Sequence, residues 1–317
     1  MARPSKRSQP ARPHQDQPLI VVAARNWEHF SPEVGRALLE EAALRGWRLV
    51  DLTLTDGFLP PEQSPAGAIV NWLPTDPPVV HLRQMGCPVV RLGRLEHPDD
   101  HQVPVILPDY PQIGRMVARH FADRGFRDIV LVGYQSALVV PLIDQGLRPL
   151  ATELGCTCHL YEFGQKDIPP RNDPARARLH DQRARELTTW LKSLPKPLAL
   201  LVCHDFLGAQ VCMMCLRAGY AVPEEIAILT YASSAAQYAM APVPLSAIAL
   251  DQPLMARTAI QRLDDLLHGR PGPERTVVAP QEIVPRRSTD ILAVDHPLVA
   301  RTVRFLWDYL DQDLSVD

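Results

Sequence analysis

Where the apolar run Leu198–Cys203 ends, the chain places His204 and Asp205, and with Cys203 these are the side-chain types of a nucleophile, a base and an orienting acid. Consecutive residues at a strand end project in different directions, so the three cannot line up as a catalytic triad. G-x-S-x-G, G-x-x-x-x-G-K and H-E-x-x-H patterns are also missing from the sequence, so no catalytic residue is predicted and the chain reads as a non-enzyme. Cys212 and Cys215 share one helix face at a spacing that could hold two metal ligands. A zinc site needs four, no second pair lies at a suitable distance, and neither metal nor cofactor is predicted.

The chemistry that remains is recognition. Polar groups just past the carboxyl end of a buried parallel strand face the crevice in which open α/β sheets bind ligands. Asp205 is the first candidate on that ground and His204 the second. Arg25, Asn26 and Trp27 leave the end of the strand Leu19–Ala24 and combine a guanidinium, an amide and an aromatic face, a set suited to a sugar or a small anion. Arg94, beside Gly93, follows another strand end, and Tyr231 and Ser233 follow the run Ile226–Leu229. Each has a structural alternative. Asp205 would cap the helix that begins near Phe206, His204 would satisfy a backbone group, Trp27 would pack on the next helix, and Arg25 would be solvated.

The elements that must position these groups alternate between strand and helix. Ser31 and Pro32 open a helix that runs through Val34–Arg45 to Gly46, and Trp47–Leu52 is the next strand. Gly67–Trp72 and Cys87–Leu92 read as strands around a short helix at Val79–Met85, and Val103–Leu107 as a further extended segment. Tyr110–Arg124 is the clearest helix of the first half and feeds the strand Asp128–Gly133. Leu138–Leu154 reads as a helix interrupted near Pro141 and Pro149, followed by the strand Thr157–Phe163. A polar loop at Lys166–Arg178 then leads to a helix at His180–Leu194. The stretch Leu198–Leu229 reads strand, helix, strand, which is a βαβ unit. Leu245–Leu250 is a strand, Pro253–Leu267 a helix, Gln281–Arg287 a last strand and Pro297–Leu310 an amphipathic helix.

Composition sets the bounds. A chain of 317 residues suits two lobes better than one core. Hydrophobic content of 46% with 22% charged residues is that of a soluble globular protein, and no apolar run is long enough to cross a membrane. The N-terminal MARPSKRSQPARPHQDQP lacks the apolar core of a secretory signal, so a cytoplasmic protein with a flexible basic arm at 1–18 is expected. A net charge of −3 argues against a broad nucleic-acid surface.

Four stretches carry a resemblance. VILPDYPQIGRMVARHFADRGFRDIVLVG, LALLVCHDFLGAQVCMMCLRAGYAVPEEIAIL, APVPLSAIALDQPLMARTAIQRLDDLLHG and QEIVPRRSTD, in this order, resemble the effector domain of the LacI/GalR type, and most of all that of the xylose-operon regulators. VPRRSTDILAVDHPLVARTVRFLWDYLDQDLSVD resembles the linker and first helix of the AraC-type DNA-binding domain that those regulators carry. The resemblance implies an α/β fold of two Rossmann-like lobes, the type I periplasmic-binding-protein fold, with a C-terminal helical extension. It implies an N-terminal lobe at 19–124 and 248–275, a C-terminal lobe at 125–247 and 276–290, and the start of a truncated reader domain at 291–317. It further implies a small effector, a sugar, in the cleft, a homodimer, and contact with DNA only through a reader domain that is absent or truncated here. Two anchors of the pattern are changed. The loop after Ile226–Leu229, which carries an aspartate in the family, reads Thr230-Tyr231-Ala232-Ser233-Ser234, and the arginine that follows the strand ending at Gly133 has no match in 134–141. A sensor whose pocket has moved to another ligand or to none, or a free-standing sugar-binding protein, would share the same fold.

Overall fold

The computed structural model describes residues 17–23, 32–52, 54, 64–71, 76–93, 103–135, 138–164, 173–203, 207–232 and 238–293, with 298, 299, 302 and 305 beyond them. Its strands are β1 (Leu19–Ala23), β2 (Arg48–Asp51), β3 (Gly67–Val70), β4 (Val89–Leu92), β5 (Val105–Pro108), β6 (Asp128–Tyr134), β7 (Thr157–Phe163), β8 (Leu198–Val202), β9 (Ile226–Ala232), β10 (Ser246–Leu250), β11 (Arg275–Val278) and β12 (Pro280–Val284). The helices are α1 (Pro32–Leu44), α2 (Pro77–Gln84), α3 (Tyr110–Ala122), α4 (Val139–Glu153), α5 (Pro174–Leu191), α6 (Leu207–Arg217) and α7 (Gln252–Leu267).

They build two sheets of one topology. The first has the order β11-β5-β4-β3-β1-β2 and the second β12-β10-β9-β8-β6-β7, so the doubly wound order 2-1-3-4-5 occurs twice. The pairings are parallel except β10 with β12. Parallel strands covered on both faces must be apolar on both, and β1 is: Ile20 and Val22 enter the core under α1 and α7, while Val21 and Ala23 enter the core under α2. In the second lobe Ile129 and Leu131 of β6 face α3 and α4, and Val130 and Val132 face α5 and α6.

The chain passes between the sheets at Asp109, at Asp251 and at Ala279. The first two passages are built alike. Asp109 caps α3 by accepting from the Gln112 amide at 2.9 Å, Asp251 caps α7 by accepting from the Leu254 amide at 2.9 Å, and each is followed two residues later by proline. The passage expected at 124 therefore falls earlier. Ile113, Val117 and Phe121 of α3 share a core with Ile143 and Leu147 of α4, which places the helix on the second sheet. Likewise 248–250 belongs to β10 of the second sheet, and 276–278 to β11 of the first.

Other departures have local causes. The interruption expected in α4 does not occur, because Pro141 stands in the first turn, where no backbone donor is needed, and Pro149 lies on the exposed side. The polar loop expected to reach Arg178 is helical from Pro174, capped by Asp173. β11 is a short edge strand without a continuous apolar run, and the last strand stops at Val284, with Arg287–Thr289 forming a 3-10 turn. α3 and α4 meet at two glycines. A Cβ on Gly114 would lie 2.1 Å from the Ile143 carbonyl oxygen, and one on Gly146 would lie 1.8 Å from that of Pro111.

Candidate functional site

In a doubly wound sheet the crevice opens beyond the carboxyl ends of the strands, where the strand order reverses. Here that is between β1 and β3 in the first lobe and between β6 and β8 in the second. In sequence, Arg25, Asn26 and Trp27 follow β1, Arg94 follows β4, His204 and Asp205 follow β8, and Ser233 follows β9. All seven lie outside the described residues, as does the residue of the basic arm at 1–16.

Tyr231 is the candidate that is described. It stands near the carboxyl end of β9, partly buried against the core beneath α3 and α4. Its ring meets that of Tyr110 edge to face, with centroids 6.4 Å apart and an interplanar angle of 75°. Tyr110 is the first residue of α3, immediately after the passage at Asp109, so this pair ties the end of β9 to an interlobe crossing.

A second group at the same edge does not follow a strand end in the sequence. Arg183 of α5 is only 4% exposed, and its guanidinium carbon sits 5.1 Å from the ring centroid of Tyr134 and 5.6 Å from that of Phe163. Those rings end β6 and β7, and Arg183 also donates through Nη2 to the Gly164 carbonyl at 3.4 Å. A guanidinium can be buried this way because its flat face lies on aromatic rings while its edge keeps a donor bond. Burial pushes the Tyr134 phenol up, and the charges of Arg183 and Arg176 with a hydrogen bond from Arg183 oppose the shift. Arg183 thus reaches the ends of β6 and β7 from a helix and is held on Tyr134 and Phe163. The available signal was that Arg183, Leu187 and Leu191 share the buried stripe of α5.

The backbone between β8 and β9 is closed by a side chain. Thr230, fully buried, donates to the Val202 carbonyl at 3.2 Å, and Gly208 makes room for it, since a Cβ there would lie 3.2 Å from Thr230 Oγ1. Thr230 is therefore engaged with the sheet. Cys203 is just as enclosed, and burial pushes its thiol far above the neutral range, so it supplies no thiolate. Cys215 is pushed up to about 12 by burial and by Cys212. Among the described residues no group of three or more His, Cys, Asp or Glu could hold a metal ion, and no helix is long and apolar enough to cross a membrane.

Residues 118–289, more than half of the chain, match the family model of the periplasmic binding protein-like domain. The chain belongs to that family. The fold is accordingly the type I periplasmic-binding-protein fold, and it superposes with a TM-score of 0.71 on a xylose-binding transcription activator, at 18% identity, over 96% of this chain and 78% of the other. The lac repressor dimer bound to operator and an anti-inducer superposes with a TM-score of 0.63, at 19% identity, over 88% of this chain and 96% of the other. A curated relative, the HTH-type transcriptional regulator GntR of Pseudomonas aeruginosa, is 27% identical over 176 residues, 56% of this chain and 48% of its own length. The chain thus spans about half the length of that relative, and the similarity is to a transcriptional regulator rather than to an enzyme.

Proposed function

We propose that this periplasmic-binding-protein-like chain is the effector-sensing part of a sugar-responsive transcriptional regulator of the xylose-regulator type. The observation that carries the reading is the doubled 2-1-3-4-5 sheet with three crossings, whose carboxyl edges are followed in sequence by polar and aromatic side chains from both lobes. Arg25, Asn26, Trp27 and Arg94 would contact the sugar from the first lobe, and His204, Asp205, Tyr231 and Ser233 from the second. Charge-assisted bonds from Asp205 and Arg25 select hydroxyl geometry, and Trp27 stacks on the sugar's apolar face. The sugar stabilises the closed cleft over the open one, so binding shifts the population of lobe arrangements. The protein is cytoplasmic and dimeric in this reading, and any contact with DNA is made only through an AraC-type reader domain.

A specific observation favours a second reading, in which the pocket has moved to another ligand. The stretch in which the resemblance expects an aspartate begins with Thr230, which lies within β9 and whose hydroxyl is engaged with the Val202 carbonyl. One experiment decides between them: a thermal-shift screen of the chain against pentoses, hexoses and sugar phosphates, repeated with Asp205→Ala. A ligand that binds only the folded state raises the melting temperature by mass action, about 2.7 kcal/mol of stabilisation at a hundred times its Kd. A shift with xylose or another sugar that disappears in the Asp205→Ala protein supports the sensor. A folded protein that responds to no sugar supports the second reading.

A further inference from the structure

After β12 of the second sheet, the segment PRRSTDILA stays on the second lobe through a buried polar network. Ser246, Ser288 and Thr289 are each fully buried, and His120 is 8% exposed. Ser288 Oγ donates to the Ile228 carbonyl at 2.5 Å and accepts from the Ser246 amide at 2.8 Å, while the Ser288 amide donates to the Pro244 carbonyl at 3.0 Å. Thr289 Oγ1 lies 2.7 Å from Ser246 Oγ and 3.1 Å from His120 Nε2. Ser246 Oγ lies 2.9 Å from the Arg286 carbonyl and accepts from the Arg286 amide at 2.8 Å. One proton order fits these distances: His120 Nε2–H donates to Thr289, Thr289 O–H to Ser246, and Ser246 O–H to the Arg286 carbonyl.

The flanks are held as well. Arg124 donates through Nε to the Thr289 carbonyl at 3.1 Å, and its own carbonyl accepts from the Ala293 amide at 2.7 Å. Gly125, at φ +84°, lets the chain pass, because a Cβ there would lie 2.8 Å from the Ala293 carbonyl oxygen. Arg287 pairs with Glu224 at 3.0 Å, Arg286 donates to the Leu245 carbonyl at 2.8 Å, and Ile291 is buried in the core beneath α3 and α4. Every partner named stands in the second lobe. An ordinary polypeptide exit would leave its backbone to solvent, whereas this one places three hydroxyls where an unmade bond costs more than a surface contact returns.

We propose that residues 286–293 are a latch that locks the chain's exit to the second lobe, so that the chain after Ala293 departs from a point fixed to that lobe. The apolar residues Leu298, Val299 and Phe305, 63%, 46% and 53% exposed, follow directly. Under the effector-sensing reading, on which this consequence rests, movement of the second lobe is passed on to the C-terminal segment. The latch itself does not depend on that reading.

Hydrogen exchange followed by mass spectrometry on the full chain, without any sugar, tests it. The wild-type peptide covering 286–293 is expected to be protected to the level of β9 and β10. Thr289→Val, which keeps the shape and removes the hydroxyl, is expected to raise exchange there by about tenfold or more while β6 and β8 stay unchanged, and Thr289→Ser to restore protection. Trypsin gives a second readout, with cleavage after Arg286 and Arg287 slow in the wild type and fast in Thr289→Val. Exchange of 286–293 at the rate of an unstructured peptide in the wild type overturns the latch, even if Thr289→Val fails to fold, and so does unchanged exchange in a folded Thr289→Val. Because no sugar enters the experiment, an unresponsive cleft and an absent latch give separate results.

Discussion

His120 should make the second lobe sensitive to mild acid. Burial, reinforced by the Arg124 charge, lowers its pKa from 6.5 to about 3, and the imidazole sits 3.1 Å from Thr289 Oγ1. A histidine kept neutral in the folded state and free to ionise in the unfolded chain binds more protons unfolded between those two values. Stability therefore rises with pH across that window: it is fully present above pH 6.5 and is lost progressively as pH falls toward 3. Each unit of difference is about 1.4 kcal/mol, so acidification from 6.5 to 5 removes about 2 kcal/mol. That is a large part of the ~5–15 kcal/mol that holds a typical domain. The assay is urea unfolding of the wild type and His120→Gln at pH 7.5, 6.0 and 5.0, followed by tyrosine and tryptophan fluorescence. Gln keeps a donor near Thr289 and cannot ionise. His120→Gln is expected to start lower at pH 7.5 and to lose about 2 kcal/mol less than the wild type by pH 5. Carboxylates titrate equally in both proteins, so parallel pH profiles would refute the reasoning.

The other tests read packing and burial. Gly146→Ala forces a methyl to within 1.8 Å of the Pro111 carbonyl oxygen at the crossing of α3 and α4, and is expected to cost about 3 kcal/mol or more, seen as a lowered melting temperature or loss of soluble protein. Arg183→Met is expected to push the Tyr134 phenol higher still, since the charge and the hydrogen bond that oppose its burial are gone, and an ultraviolet titration of tyrosine reads the change. In the native protein Cys203, Cys212 and Cys215 should resist a disulfide reagent at pH 8 and react only after denaturation, whereas Cys158, partly exposed with its thiol near 11, should react slowly; mass mapping of the labelled sites checks both.

The sequence and the structure agree where one signal decides an element and part where two segments must be compared. β1 and β8 are legible because a parallel strand covered on both faces has to be a short, unbroken apolar run, and Leu19–Ala23 and Leu198–Val202 are such runs. α3 is legible as a helix for its apolar stripe, but the sheet that stripe faces is a tertiary matter, decided by Gly114 and Gly146 letting α3 and α4 approach. β11 is not legible, since an edge strand with exposed Arg275 and Val277 owes its existence to β5 alone. The same distinction runs through the candidate site. Polar residues after a strand end can be found by position, which is how Asp205 and Arg25 enter the argument. Arg183 reaches the end of β6 from α5, and in a chain read in order it looks like one more arginine of a basic helix. What sets it apart is its stripe: it is in register with Leu187 and Leu191 and is buried with them, and its guanidinium lies on flat, electron-rich rings. Tyr134 and Phe163 are those partners, so the buried cation and the two strand ends specify one another. A substitution at any of the three would be felt first as altered order at the carboxyl edge of β6, before it reached the core beneath.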